Sequence, residues 1–338
     1  MDKREAREQR WYVGIDVSAR ELTVAWGEGG EEEMKLECYA NTAAGHQRLL
    51  RHLRGLRAPV EVCLEASGNY TLDIALALAK AGGAIQVSVA NPRRVRRFAE
   101  SLGQRSKTDP VDARALCQYV ARMPFVAWQP PSAAALGLRA ITRTIAALTR
   151  MNTQQKNRQH ALSASQALPA LLLRELEHQI GYTEKRMVAL RRAAVRLLSS
   201  DAQLLRRWQY LQTIPGVGES SALTMLGELA VLPETLDERQ WVAHSGLDPK
   251  HHVSGSSIER KTRISKTGNR YLRALLYMPA LVAVQHDPAL GGFYHRLVAR
   301  GKSKLQALVA VMRKLLHAAW GMFHHDQPYD GAKLCPQI

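Results

Sequence analysis

The order of strand and helix signals across residues 11 to 101 constrains this chain more than any other feature. The segments WYVGIDVS, ELTVAWGE and MKLECYAN read as three short β runs. Only Ala19 and Arg20 separate the first two, so these strands must turn back on each other as an antiparallel meander. TAAGHQRLLRHLRGL follows, with Leu49, Leu50, Leu53 and Leu56 at helical spacing, and then the apolar run PVEVCLEAS, which reads as a buried strand. A second helix, NYTLDIALALAKAG, ends at Gly82 and Gly83. AIQVSVA supplies one more strand, and Pro92 opens the basic helix PRRVRRFAESLG. The predicted order is βββαβαβα, an α/β domain over residues 1 to about 125.

Beyond Pro130 and Pro131 the strand signals stop. Leu136, Ile141, Ile145 and Leu148, then Leu176, Ile180, Met187 and Leu190, mark two long helices interrupted near Pro169, a coiled-coil-like connector over residues 126–205. Such a hairpin does not bury both faces by itself. It calls for another subunit, nucleic acid near Arg191, Arg192 and Arg196, or packing within the chain. Residues 206–338 return to globular composition and are expected to be all-helical. A length of 338 residues suits two domains and a connector, at roughly one domain per 150 residues.

Charge narrows the partner. Lys and Arg number 47 against 30 Asp and Glu, a net +17, which favours a polyanion. No run of about 18 apolar residues offers a membrane span, and the start MDKREAREQR lacks the apolar region of a secretion signal. We therefore expect a soluble cytoplasmic protein with no membrane partner. Cys38, Cys63, Cys117 and Cys335 have neither disulfide-framework nor zinc spacing and read as reduced structural thiols. Aromatic residues make up only 6% of the chain, so a surface of stacked aromatics is excluded and phosphate contact fits better.

Four acids fall where this fold would gather them. Asp16 lies in an otherwise apolar first strand, where an unpaired charge is costly. Glu65 ends the fourth strand, which a parallel arrangement sets beside the first. Asp109 and Asp112 are three apart on a helix and share a face. Oxygen donors of this kind suit a hard cation such as Mg²⁺, and two ions about 4 Å apart would serve in-line displacement at phosphorus. Each acid also has a structural reading: Asp109 as helix cap before Pro110, Asp112 as complement to the helix dipole, Glu65 as cap of the following turn. Jointly they match the RNase H-like fold of two-metal nucleases.

Two basic stretches provide candidate phosphate contacts. Between Asn91 and Met123 there are eight basic and three acidic residues, including Arg93, Arg94, Arg96, Arg97, Arg105 and Lys107. From Glu259 to Leu275 six basic residues, Arg260, Lys261, Arg263, Lys266, Arg270 and Arg273, accompany one acid, with Lys266, Arg270 and Arg273 spaced for one helix face. Just upstream, the SGSS loop holds Ser254, Ser256 and Ser257, with His251 and His252 nearby as possible bases. It is also ordinary loop material, and nothing in the residues alone selects one serine. IPGVG at Ile214–Gly218 resembles the turn of a helix-hairpin-helix, a weak motif that an ordinary helix-breaking turn matches nearly as well.

Taken in order, GIDVSA, LEASGNY, KTDPVDARAL, IPGVG, GLDP, SG and RISKTGNRYLR resemble the DEDD-type transposases of bridge-RNA-guided insertion sequences over nearly the whole chain. The resemblance implies a RuvC-like metal domain, a helical connector and a C-terminal transposase domain. Asp16, Glu65, Asp109 and Asp112 would be the magnesium ligands and Ser254 the nucleophile that forms a phosphoserine. It also implies a structured noncoding guide RNA, donor and target DNA, and dimers joining into a tetramer in which one subunit's metal site acts with another's serine. Ser256 and Ser257 depart from the glycine common after that serine. The rivals are a RuvC-like metal-dependent junction nuclease that uses water, and a nucleic-acid-binding protein whose acids are structural.

Overall fold

The computed structural model describes residues 10–28, 34–66, 68–104, 108–164, 169–254 and 258–334, with the backbone alone for 251–254 and 258–261. The chain divides into two compact units, Met1–Pro130 and Pro131–Ile338.

The first unit follows the predicted order: β1 (Trp11–Val17), β2 (Glu21–Glu28), β3 (Lys35–Ala40), α1 (Ala43–Gly55), β4 (Val60–Glu65), α2 (Asn69–Ala81), β5 (Ile85–Ala90), α3 (Pro92–Ser101) and α4 (Asp109–Arg122). The sheet order is β3-β2-β1-β4-β5. β1 and β2 form the expected antiparallel pair, while β4 lies parallel to β1, with Ile15 opposite Leu64, and to β5. Side chains alternate between the two faces. Val13, Ile15, Val60, Val62 and Leu64 join Leu49, Leu53, Ile74 and Leu78 in the core beneath α1 and α2. Cys63 packs with Val95, Leu116 and Val120 on the other face, under α3 and α4. Asp16 and Glu65 fall on this second face by register.

The second unit begins with α5 (Ala133–Ser163) and α6 (Ala170–Ser199), with Pro169 as the N-cap of α6, so the predicted interruption is present. Asn152 bonds Glu184 at 3.3 Å and Gln155 bonds Gln179 at 3.1 Å, contacts whose order fixes an antiparallel hairpin. Next come α7 (Ala202–Gln212), α8 (Glu219–Leu229), α9 (Glu238–Ser245), β6 (Pro249–Ser254), β7 (Ile258–Ile264), α10 (Arg270–Leu275), α11 (Tyr277–His286), α12 (Pro288–Ala299), α13 (Lys304–His325) and α14 (Gly331–Leu334). The helices enclose one core that includes Leu138, Leu211, Ile214, Leu226, Val311 and Leu315.

The all-helical expectation for this region is corrected by β6 and β7, an antiparallel pair with Ser254 opposite Ile258 and a register shift between Lys250 and His252. Alternating β-branched residues in IERKTRI support a strand, and the density of basic residues had masked that period. A second correction concerns Lys266. It lies in the turn before α10 at φ 53°, so it shares no helix face with Arg270 and Arg273. Among the described residues no helix is long and apolar enough to cross a membrane.

Candidate metal and nucleic-acid site

The placement of four acids follows from how α4 meets the sheet. Asp16 is the penultimate residue of β1, nearer its end than the middle, and Glu65 ends β4. Because those strands are parallel neighbours, both carboxylates sit at the carboxyl edge of the sheet, where α/β folds gather ligands. α4 packs on β1 through Gly14, where an added Cβ would stand 2.2 Å from both Ala113 O and Cys117 N. Only glycine permits that backbone approach. Cys117 Sγ bonds Tyr12 O at 3.1 Å, which continues the seam toward the start of β1 and leaves the N-terminal turn of α4, with Asp109 and Asp112, toward Asp16.

The cap reading of Asp109 gives way, while the dipole reading of Asp112 stands. Thr108, extended at φ −144° and ψ 150°, is the N-cap of α4, so Asp109 is the first helical residue and does not cap the helix with its side chain. The next helix, α2, starts from Gly68 as its N-cap with no side-chain cap bond. Asp109 and Asp112 do lie in the first turn of α4, where the helix dipole favours them.

Electrostatically the four acids act as a group. Asp16 is raised from 3.8 to about 6, by burial first and then by repulsion from Asp109, Asp112 and Glu65. A divalent cation suits this set by donor type, since all four are hard oxygen ligands, and by charge, since it would relieve the repulsion that lifts Asp16. Among the described residues no three His, Cys, Asp or Glu side chains are already drawn into a closed metal-binding group. The carboxylates are neighbours that a cation would have to pull together.

A cavity of about 580 Å³ adjoins them, lined by Glu65 and Asp112 and also by Arg93, Arg96, Glu100 and Gln104. Asn91 caps α3, accepting from Arg93 N at 2.9 Å, and Val95 anchors the helix while Arg93, Arg94, Arg96 and Arg97 face outward. Arg96 pairs with Glu100 at 3.1 Å, which moderates its charge. Arg105 and Lys107 lie outside the described residues.

The other predicted site residues belong to the second unit. Ser254 closes β6, with described backbone and no described side chain, as holds for His251, His252, Arg260 and Lys261; Ser256 and Ser257 lie outside the described residues. Arg263, Lys266 and Arg270 are exposed. Arg273 instead donates to Ser245 O at 2.8 Å, a contact that ties α10 to the end of α9. Gly216 of IPGVG faces inward, where a Cβ would meet Pro279 O and Val282 at 2.8 Å, whereas Gly218, at the N-cap of α8, is exposed with nothing within 4 Å of such a Cβ. Of the cysteines, Cys63 and Cys117 are buried with thiols pushed up to about 12, Cys38 is exposed, and Cys335 lies outside the described residues.

Sequence reasoning missed Gly14, Arg143, Glu228, Asn269 and Tyr271. Glu228 is 1% exposed on α8, held by Arg143 Nε and Nη2 at 2.7 and 2.9 Å and by Asn269 Nδ2 at 2.6 Å. Its signal was a lone acid in the apolar run TMLGELAVL, and that of Gly14 a glycine inside an apolar strand.

Comparison with known proteins agrees with this architecture. Residues 13–164 match a DEDD-type transposase family profile, and residues 208–295 match that of the transposase IS116/IS110/IS902 family. The pilin gene-inverting protein of Moraxella bovis is 30% identical over 324 residues, which span 94% of this chain and 97% of that protein. The pilin gene-inverting protein of Moraxella lacunata is 30% identical over 72% of this chain and 74% of its own length. The transposase for insertion sequence element IS1328 of Yersinia enterocolitica is 26% identical over 70% and 76% respectively. DEDD-type domains generally imply divalent-metal use, and transposases bind DNA. This chain, with a DEDD-type domain followed by a helical region, belongs to the IS110 family of insertion-sequence transposases.

Proposed function

We propose that this transposase cuts and rejoins donor and target DNA with a magnesium-bound DEDD site and a serine nucleophile, guided by a structured noncoding RNA. The observation that carries the metal half is the gathering of Asp16, Glu65, Asp109 and Asp112 beside a cavity that Arg93 and Arg96 also line. Bound there, two Mg²⁺ ions would activate the attacking oxygen and stabilise the leaving one. Asp16 and Glu65 supply ligands from rigid strands, and Gly14 lets α4 bring Asp109 and Asp112 to them. Arg93 and Arg96 hold the phosphodiester by charge-assisted bonds.

The serine half assigns Ser254. Its hydroxyl oxygen attacks phosphorus, forming the P–O bond to serine as the bond to the sugar oxygen breaks. The serine proton passes to a base, and the departing sugar oxygen takes up a proton. The hydroxyl of the incoming strand then attacks the phosphoserine and restores Ser254. On this reading residues 1–125 are the RuvC-like domain, 126–205 the connector and 206–338 the transposase domain. Dimers pair into a tetramer, with one subunit's acids serving another's serine. Exposed Met151 and Tyr182, at 50% and 66%, support a partner for the long hairpin.

A nicked suicide substrate tests the chemistry: a covalent protein–DNA adduct forms with the native chain and is absent in Ser254→Ala. Joining retained in that variant excludes the serine, and cleavage without any adduct favours a nuclease that uses water. Asp16→Asn should abolish strand cleavage yet keep salt-sensitive DNA binding, which rests on Lys and Arg. Sequencing the RNA that copurifies with the protein tests guidance, and the absence of a discrete noncoding species counts against it.

A further inference from the structure

We propose that Arg150, Arg270 and Tyr271 form a binding site for a nucleic-acid phosphodiester, built across α5 and α10 and anchored from beneath by buried Glu228. Three guanidinium groups surround one ring: Arg143, Arg270 and Arg150 lie 4.9, 5.2 and 5.9 Å from the Tyr271 centroid. Cation–π attraction favours each contact, while the cations repel one another. Glu228 neutralises Arg143 through both carboxylate oxygens. Arg150 and Arg270 are exposed, and no carboxylate among the described residues pairs with either.

The geometry suits a phosphate. Arg270 Nη2 donates to Tyr271 Oη at 3.4 Å, which leaves the phenol hydrogen available to an anion beside two guanidinium forks. The Tyr271 hydroxyl is drawn below its ordinary value by Arg270 first and by Arg150 next, as a locally positive surface requires. The platform is also held in place. Glu228 accepts from Asn269 Nδ2, and Asn269 Oδ1 caps α10 through Tyr271 N and Leu272 N at 3.0 and 3.1 Å. One buried carboxylate therefore fixes both the α5 arginine and the backbone that carries Arg270 and Tyr271. Arg273, by contrast, is held on Ser245 and is left out of the site.

This inference rests on the chain binding nucleic acid and not on its serine, metal or guide RNA. Binding is measured in EDTA by fluorescence anisotropy, with a random-sequence DNA duplex and a single-stranded RNA of equal length, across a salt series. Arg150→Gln with Arg270→Gln should flatten the slope of log K against log salt by about 1.8 on the duplex or about 1.4 on the single strand. The probe that responds identifies the source of the phosphate. Tyr271→Phe should weaken the same probe severalfold. Lys302→Gln with Lys304→Gln, exposed residues in the turn after α12 and at the start of α13, should leave the slope as in the native chain. An unchanged slope on both probes in the arginine variant overturns the proposal, as does an equal loss in the lysine variant. If the double variant melts early, Arg150→Gln alone should flatten the duplex slope by about 0.9 or the single-strand slope by about 0.7, and no change in either overturns it. A native chain that forms the serine adduct but fails here loses this site only.

Discussion

Asp16 and Glu228 are both acids set into apolar elements, one on a strand of the first unit and one on a helix of the second, yet their surroundings treat them in opposite ways. Burial pushes both upward. At Glu228 the bonds from Arg143 and Asn269 outweigh burial, and the carboxyl ends below its ordinary value. At Asp16 repulsion from Asp109, Asp112 and Glu65 adds to burial, and the group reaches about 6. One acid is satisfied by the protein itself. The other sits in a cluster whose charge suits a ligand from outside, and local frustration of this kind is characteristic of functional sites.

That contrast breaks most readily at Glu228. Glu228→Ala removes one partner of a buried pair and strands Asn269, so it should destabilise the fold by about 3–4 kcal/mol in denaturant titration, toward the lower end because Arg143 is 41% exposed. Glu228→Gln, which retains an acceptor for Asn269, should recover part of that loss. A change below about 1 kcal/mol for the alanine variant would mean that the network does not hold α5, α8 and the start of α10 together. On the other side of the comparison, Gly14→Ala forces α4 off β1. It should destabilise by about 3 kcal/mol, near the top of the range for overpacking because the obstacles are backbone atoms. Unlike the Glu228 variants, it should also abolish magnesium binding, since the acids of α4 move with the helix.

How much of this was legible depends on the range of the interactions involved. The β-meander, the parallel neighbour and the edge position of Asp16 and Glu65 follow from short-range period and from topology, and sequence carries both. Gly14 was not read as a helix seat because its meaning depends on α4, about a hundred residues away. The cap assigned to Asp109 fell to Thr108, one residue earlier, a boundary that sequence rarely fixes. Glu228 needs Arg143 and Asn269, from elements far apart in the chain, before it becomes a satisfied acid rather than a puzzling one. The β6–β7 hairpin was missed for another reason: its positive charge drew attention away from its alternation.

Magnesium sharpens the comparison from the ligand side. A cation that binds only the folded chain adds about 2.7 kcal/mol at a hundredfold excess over its Kd, so Mg²⁺ should raise the melting temperature by several degrees. Asp16→Asn should lose this gain, and Glu228→Gln should keep it. An equal gain in native and Asp16→Asn chains would place the cation elsewhere.

The smallest effect carries the clearest sign. Asp16 holds its proton up to about pH 6 in the fold, against 3.8 as its ordinary value, so between these limits the native state binds more protons than the unfolded one. Stability from this group is then greatest below about 3.8 and falls as pH rises toward 6. Glu228, lowered, has the opposite dependence: its contribution is present above its ordinary 4.5 and is lost in stronger acid. Without metal, Asp16→Asn should therefore be more stable than the native chain at pH 8, on the order of 1 kcal/mol once solvent screening of a half-buried carboxylate is allowed for. The advantage should shrink through pH 6 and vanish near pH 4, because a protonated Asp16 no longer buries a charge and no longer repels Asp109, Asp112 and Glu65. Paired melts of the two proteins in EDTA across that range measure the difference directly. A flat difference would show that neither burial nor its three neighbours raise Asp16, and the metal site would lose its electrostatic basis.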